Sequence, residues 1–125
     1  MNKLEIEKLT NRVIGIAIQV HKTLGPGFAE KVYQRALYIE LKKARLPIER
    51  EYKIVIKWRK SIIGYHIVDF LVGGEVIIEI KATSETQEFH KYQLLSYLKA
   101  ADKRLGLLLN FGSGTLGIKR VVNKL

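Results

Sequence analysis

Two carboxylates and a lysine in two apolar segments are the residues whose types and spacing could do chemistry. Glu79 and Lys81 lie two residues apart in VIIEIKA, and Asp69 lies within HIVDFLV. A carboxylate buried in a sheet without a partner is costly or takes up a proton. Two such groups on neighbouring strands repel each other unless a cation lies between them, so the pattern raises the question of a metal site.

The oxygen atoms available here suit a hard divalent cation. Asp69, Glu79 and the backbone carbonyl of Ile80 would form a site that favours Mg²⁺ or Mn²⁺ and is poor for zinc. Lys81 beside such a metal could orient a water or hold a phosphate whose charge grows during attack. The alternative is a solvated Glu–Lys pair on an edge strand, with Asp69 at a strand end.

The length of the glycine loop between the two strands decides whether Asp69 and Glu79 can meet. With a loop of only Gly73-Gly74, the two carboxylates point to opposite faces, because successive side chains alternate. A three-residue loop, which adds either Val72 or Glu75 to the glycines, brings both carboxylates to one face. A shared metal therefore predicts an odd-length loop.

Hydrophobic periodicity predicts an α/β fold in the order α-α-β-β-β-α-β-β. Apolar residues at three- and four-residue spacing indicate helices, and alternating ones indicate strands. The predicted helices span 4–24, 28–44 and 86–102, and the predicted strands span 51–58, 61–72, 75–81, 105–111 and 118–123. Ser84 or Thr86 is expected to cap the third helix. With no repeat and no linker, residues 1–125 are expected to form a single domain.

The composition is that of a basic globular protein. Twenty-two Lys and Arg against twelve Asp and Glu leave a net charge of +10, which indicates a polyanionic partner, or else a merely solvated basic surface. The absence of cysteine excludes disulfides and thiolate metal sites and is compatible with a cytoplasmic location. No apolar stretch approaches the roughly 20 residues of a membrane helix, so no membrane partner is expected.

Two motifs resemble a known group of enzymes. Asp69 followed by Glu79-Ile80-Lys81 after a glycine hairpin resembles the D…(D/E)XK core of the PD-(D/E)XK nuclease superfamily. The segment GFAEKVY at 27–33 resembles the signature of its small GxxExxY branch. The resemblance implies a restriction-endonuclease-like core, with a mixed β-sheet flanked by helices and a divalent metal at the carboxylates. It also implies hydrolysis of phosphodiester bonds.

Glu30 is the acidic residue of the GxxExxY signature. On a helical wheel it lies on or beside the apolar stripe that faces the sheet. One interpretation is a solvated first-turn glutamate that the helix dipole stabilises. The resemblance instead favours a third carboxylate at the metal site.

The third predicted helix carries candidate substrate-binding residues. Gln93 and Tyr97 are spaced i,i+4 and resemble the Gln-x-x-x-Tyr element of the exonuclease and recombination-nuclease branches of the superfamily. In those branches the helix packs beside the metal site and helps to hold the substrate. The alternative is a polar helix flank with Tyr97 in the core. Lys91 and Lys99 are expected to lie near enough to contact phosphates.

The histidines predict no metal site. His66 precedes Asp69 by three residues, so in a regular strand it faces away from that carboxylate. Three histidines without an i,i+4 pair and without cysteine do not form a zinc site.

These observations support one main function and two alternatives. The main hypothesis is a Mg²⁺- or Mn²⁺-dependent nuclease that acts on DNA. The first alternative is a basic nucleic-acid-binding module on the same fold that does not catalyse a reaction. The second, compatible with either, is an assembly subunit in which a sheet edge or the first helix forms a homodimer.

Overall fold

A mixed sheet carries helices on both faces in the computed structural model, which describes residues 1–84 and 88–125. The order of the described elements, α-α-β-β-β-α-β-β, is the predicted one. The helices are α1 (Lys3–Leu24), α2 (Glu30–Lys43) and α3 (Glu88–Ala101). The strands are β1 (Ile48–Trp58), β2 (Ser61–Val72), β3 (Val76–Lys81), β4 (Leu105–Asn110) and β5 (Gly117–Val122).

The described strands lie in the spatial order β1-β2-β3-β4-β5. β3 and β4 are parallel and joined through α3, and the other neighbours are antiparallel. The core between the sheet and helices α1 and α2 forms one apolar cluster, and the core under α3 forms a second. Helices cover the centre of the sheet on both faces, which explains why β3 is buried up to Ile80 and β4 is buried throughout.

The hairpin between β2 and β3 has the predicted odd-length loop. Val72 pairs with Val76 and Phe70 pairs with Ile78, so the loop consists of Gly73, Gly74 and Glu75. Both glycines have positive φ, 62° and 68°, a conformation that L-residues rarely adopt. Continuing this register by one residue on each strand brings Asp69 opposite Glu79.

The predicted starts of β1 and α2 differ from the observed ones by two or three residues. β1 begins at Ile48 rather than residue 51, because its first residues pair with the end of β2. α2 begins at Glu30 rather than residue 28, because Ala29 is still extended with ψ of 156°. Of the proposed caps of α3, Thr86 lies outside the described residues and Ser84 is exposed in a bend. No helix in the described ranges is long and apolar enough to cross a membrane.

The side chains of β2 change from one face of the sheet to the other at Asp69. Val68 belongs to the apolar cluster under α3, whereas Phe70 belongs to the cluster under α1 and α2. Residues two apart share a face in a regular strand, so the strand twists sharply between these two positions. Opposite Asp69, Glu51 of β1 has a left-handed φ of 55°. Asp69 therefore lies where the strand pair is irregular, between the two helical layers.

The ends of β3 and β4 are locked together just beyond the parallel ladder. The Phe111 N–H donates to the carbonyl of Lys81 at 2.8 Å. Asn110 Oδ1 accepts from the N–H groups of Thr83 at 3.1 Å and Gly112 at 3.0 Å. A Cβ atom on Gly112 would lie 2.1 Å from the Thr83 carbonyl oxygen, which is closer than atoms can pack. Only glycine fits at position 112.

Gly112→Ala should therefore lower the free energy of unfolding by about 1–3 kcal/mol, the usual scale for overpacking. Urea denaturation measures this loss. Gly114→Ala is the matched control, because a Cβ atom there meets nothing within 4 Å. Equal losses in the two variants would contradict the close contact with Thr83.

Candidate active site

Asp69 and Glu79 each bind the backbone of the other's strand. The Asp69 N–H donates to Glu79 Oε1 at 3.2 Å, and the Ile80 N–H donates to Asp69 Oδ2 at 2.7 Å. Beyond the Phe70–Ile78 pair, carboxylate oxygens thus take the places that backbone carbonyls occupy in a regular ladder. The strands open here, and both carboxylates are held at the opening.

Gln34 holds the second oxygen of Asp69. Its Nε2 donates to Asp69 Oδ1 at 2.7 Å, and the side chain is almost fully buried. Lys31 Nζ in turn donates to Gln34 Oε1 at 3.4 Å, which orients the amide. Sequence reasoning missed Gln34, although it follows Glu30 by four residues and so lies on the same face of α2.

His66 was also missed, and it contacts the site. Its Nε2 lies 3.7 Å from Glu79 Oε2, and its ring stacks on Tyr97 with centroids 4.0 Å apart. Nε2 is buried and has no hydrogen-bond partner among the described residues. The expectation that His66 turns away from the site is wrong, because it assumed a regular strand, whereas the side chains of β2 change face at Asp69.

The site is poor in compensating positive charge. Burial and the charge of Asp69 raise the pKa of Glu79 to about 8, against weaker lowering by Lys81 and by the Asp69 N–H; the charge of Glu30 also raises it. Burial and then Lys81 lower the pKa of His66, while Asp69 raises it. A buried carboxylate with a raised pKa beside a second carboxylate is a place where a cation would be stabilised.

The turn between α1 and α2 places Glu30. Gly27 has φ of 116°, which requires glycine. The Tyr33 hydroxyl accepts from the Phe28 N–H at 3.1 Å and donates to the Gly25 carbonyl at 2.6 Å, so it ties the turn to the buried face of α2. The glycine and tyrosine of the GxxExxY segment thus shape the start of the helix. Glu30 itself is exposed in the first turn, where its charge acts on Glu79.

The other predicted residues lie along α3 and at the end of β3. Lys81 is half-buried, and its charge influences the pKa values of both Glu79 and His66. Tyr97 packs against the apolar cluster under α3 and also stacks on His66, and burial followed by the Glu79 charge raises its pKa. Gln93 is half-buried one turn earlier.

The two lysines of α3 form no ion pair with Asp69 or Glu79 among the described residues. Lys91 forms an ion pair with Glu88 at 3.0 Å. Lys99 is exposed in the last turn of the helix. Both lie on the surface of α3, where contact with a bound polyanion remains a prediction.

The donor set fits a hard divalent cation only if the backbone takes part. Among residues 1–84 and 88–125, no three His, Cys, Asp or Glu side chains are grouped closely enough to hold a metal ion. The Ile80 N–H points toward Asp69, and the carbonyl of the same strand residue lies on the same side. Asp69, Glu79 and that carbonyl are therefore the oxygens that could hold a hard divalent cation.

The comparison with family models identifies the group to which the chain belongs. The model of the PD-(D/E)XK nuclease superfamily matches residues 7–121. The chain belongs to this superfamily. Its members are nucleases that generally use divalent metals. No curated protein matches the chain.

Solved structures share the fold. The crystal structure of SSO0001 superposes with a TM-score of 0.60 at 20% identity, covering 76% of this chain and 50% of that one. An alkaline exonuclease from Laribacter hongkongensis superposes with a TM-score of 0.52 at 13% identity, covering 75% of this chain and 55% of that one. This chain thus aligns with about half the length of each, and the shared part is the restriction-endonuclease-like core.

The raised pKa of Glu79 predicts a pH-dependent stability. At pH values between the ordinary pKa of 4.5 and the raised pKa of about 8, Glu79 holds a proton in the folded protein that it releases in the unfolded chain. The stabilisation is fully present below pH 4.5 and is lost as the pH rises toward 8. Glu79→Gln cannot ionise and should remove this loss. Its urea midpoint in EDTA should exceed that of the wild type at pH 8, and the difference should shrink toward pH 5.

Glu49→Gln is the control, because Glu49 is exposed on β1. This substitution removes the same charge from a position that is not buried. A pH-independent difference between Glu79→Gln and the wild type would show that Glu79 is ionised in the folded protein at all these pH values.

Proposed function

We propose that this protein is a divalent-metal-dependent nuclease that hydrolyses phosphodiester bonds of DNA, and that it is a member of the GxxExxY branch. The observation that carries the proposal is the reciprocal Asp69–Glu79 arrangement at the opening between β2 and β3, with Lys81 at the end of the same strand. This is where the D…(D/E)XK motif of the superfamily requires its three functional groups.

Asp69, Glu79 and the Ile80 carbonyl would hold Mg²⁺ or Mn²⁺. When bound, the cation supplies Lewis-acid polarisation of a phosphate oxygen and of the attacking water. Gln34 fixes the orientation of Asp69 through its 2.7 Å hydrogen bond. Glu30, exposed at the start of α2, would assist from the solvent side of the site.

Lys81 would hold the negative charge that grows on the phosphate during attack. Lys81 is half-buried, and its charge lowers the pKa of Glu79, against the larger raising effects of burial and Asp69. Gln93, Tyr97, Lys91 and Lys99 would bind the substrate along α3. Tyr97 contributes through its ring, which holds His66 against the site.

The net charge of +10 supports a polyanionic substrate. The alternative, a non-catalytic nucleic-acid-binding module, gains nothing from two carboxylates facing a phosphate. Burying Glu79 costs stability, as its pKa of about 8 indicates. The acidic pair therefore favours catalysis over binding alone.

Substitutions at the site separate catalysis from binding. Lys81→Ala should leave the fold and most of the Mg²⁺ affinity intact, since the oxygen ligands remain. Cleavage of plasmid DNA should nevertheless fall by about 10²-fold or more, the usual scale for losing one group that stabilises developing charge. Lys119→Ala is the matched control, because Lys119 is exposed on the edge strand β5. It should cleave at the wild-type rate.

Glu79→Ala should abolish both Mg²⁺ binding and cleavage, because one anionic ligand is too few to hold the ion. Binding of DNA without metal should survive or tighten, since a negative charge facing the phosphate is removed. If the wild type with Mg²⁺ or Mn²⁺ cleaves no DNA or RNA of any form, yet binds them as these variants do, the protein is a binding module.

Binding of DNA should depend steeply on salt even when catalysis is removed. Each Lys or Arg that contacts a phosphate releases a counterion, which adds about 0.9 to the slope of log K against log salt concentration. Fluorescence anisotropy with Glu79→Ala in EDTA measures this slope between about 50 and 200 mM salt. Several phosphate contacts are expected, and an affinity that does not change with salt would argue against a polyanionic partner.

A further inference from the structure

The outer part of the β1–β2 hairpin presents a large apolar surface to solvent. Val55 pairs with Tyr65 and Lys53 pairs with Ile67, so these four side chains share one face. Val55, Tyr65 and Ile67 are 38, 62 and 50% exposed. At the tip, Trp58 is 64% exposed. Exposed large apolar surface of this kind marks an interaction site.

The charge of this hairpin indicates the class of partner. Between residues 52 and 68 the sequence contains no Asp or Glu, and it contains four cations. They are Lys53, Lys57, Arg59 and Lys60. Two copies of such a hairpin would repel each other across a shared interface, whereas a polyanion would be attracted.

Trp58 presents an exposed ring at the tip of the hairpin, where another ring could stack on it. It is the last residue of β1, it pairs with Ser61, and a two-residue turn of Arg59 and Lys60 follows it. The Arg59 guanidinium lies 5.6 Å from the indole centroid, so a cation accompanies the ring. Aromatic rings beside cations are the surfaces on which single-stranded nucleic acids stack their bases.

We propose that Trp58 stacks on an unpaired base of the nucleic-acid substrate, while Arg59, Lys57 and Lys60 contact the adjoining phosphates. The proposal rests on the proposed function in that the partner is nucleic acid. β2 runs from Ser61 at the tip to Asp69, about 26 Å at about 3.3 Å per residue. The hairpin therefore binds substrate well away from the site of cleavage, and it selects nucleic acid with a single-stranded segment.

The fluorescence of Trp58 reports this contact directly, because the chain contains one tryptophan. The experiment uses the wild-type protein in EDTA, so that no cleavage occurs, with oligo(dT) as the probe. We expect oligo(dT) to quench the emission and a blunt duplex of equal length to quench it much less. Binding of both probes is followed in parallel by the anisotropy of a labelled oligonucleotide.

Two variants at the tip distinguish stacking from apolar contact. Trp58→Ala should weaken oligo(dT) binding by about 5- to 140-fold, the range expected for losing one stacked base. Blunt-duplex binding should change little. Ile62→Ala is the matched control, because Ile62 is 68% exposed in the same hairpin and cannot stack. Its affinity for oligo(dT) should equal that of the wild type, and Trp58→Phe should retain part of the wild-type affinity.

Several results would overturn the proposal. Oligo(dT) binding that leaves the Trp58 emission unchanged would place the contact elsewhere, and equal losses of single-strand and duplex affinity would indicate backbone contact alone. An emission shift with phosphatidylserine vesicles, but not with oligo(dT), would assign the hairpin to a membrane surface. A shift that depends only on protein concentration would assign it to self-association.

Failure of this proposal is distinct from failure of the proposed function. Cleavage that depends on Glu79, together with an unquenched Trp58, overturns the stacking proposal alone. Quenching by oligo(dT) in a protein that never cleaves nucleic acid supports the stacking proposal and contradicts the proposed nuclease function.

Discussion

The exchange of hydrogen bonds between Asp69 and Glu79 is the interaction on which the site depends. Each carboxylate accepts a backbone N–H from the opposite strand, so the ladder ends without leaving these buried donors unpaired. The arrangement brings two carboxyl groups close together, and burial and the charge of Asp69 raise the pKa of Glu79 to about 8. A cation bound between the two carboxyl groups would have to displace the proton of Glu79.

The helices on the two faces of the sheet serve this pair in different ways. α2 supplies Gln34 to Asp69, and its position is set by the Tyr33 hydroxyl bridging the preceding turn. α3 supplies Tyr97, whose ring holds His66 beside Glu79. The twist of β2 at Asp69 is what allows contacts from both layers to converge on one opening. In a flat sheet, the helices on the two faces would not both contact this opening.

Much of this architecture could be predicted from the sequence, because periodicity distinguishes helix from strand and a shared metal restricts the hairpin register. Gln34 and His66 were not found by the same reasoning, although Gln34 lies four residues after Glu30 on one face of α2. Both depend on the irregularity of β2, and strand parity assumes regular alternation. Glu51, which has a positive φ at the irregularity, is not a glycine or asparagine, so its residue type does not indicate this conformation. The late start of α2 accompanies the hydrogen bond from the Phe28 N–H to the Tyr33 hydroxyl, a side-chain contact that local propensity does not contain.

The three-residue hairpin loop constrains how this chain can evolve. Surface loops ordinarily tolerate insertions and deletions. Here a change of one residue between Val72 and Val76 would reverse the parity of β3 relative to β2. Either the apolar residues of β3 would leave the core, or Asp69 and Glu79 would be separated onto opposite faces. A change of two residues preserves both. Among functional relatives, the length of this loop should therefore vary in steps of two, unless a compensating bulge arises in a neighbouring strand.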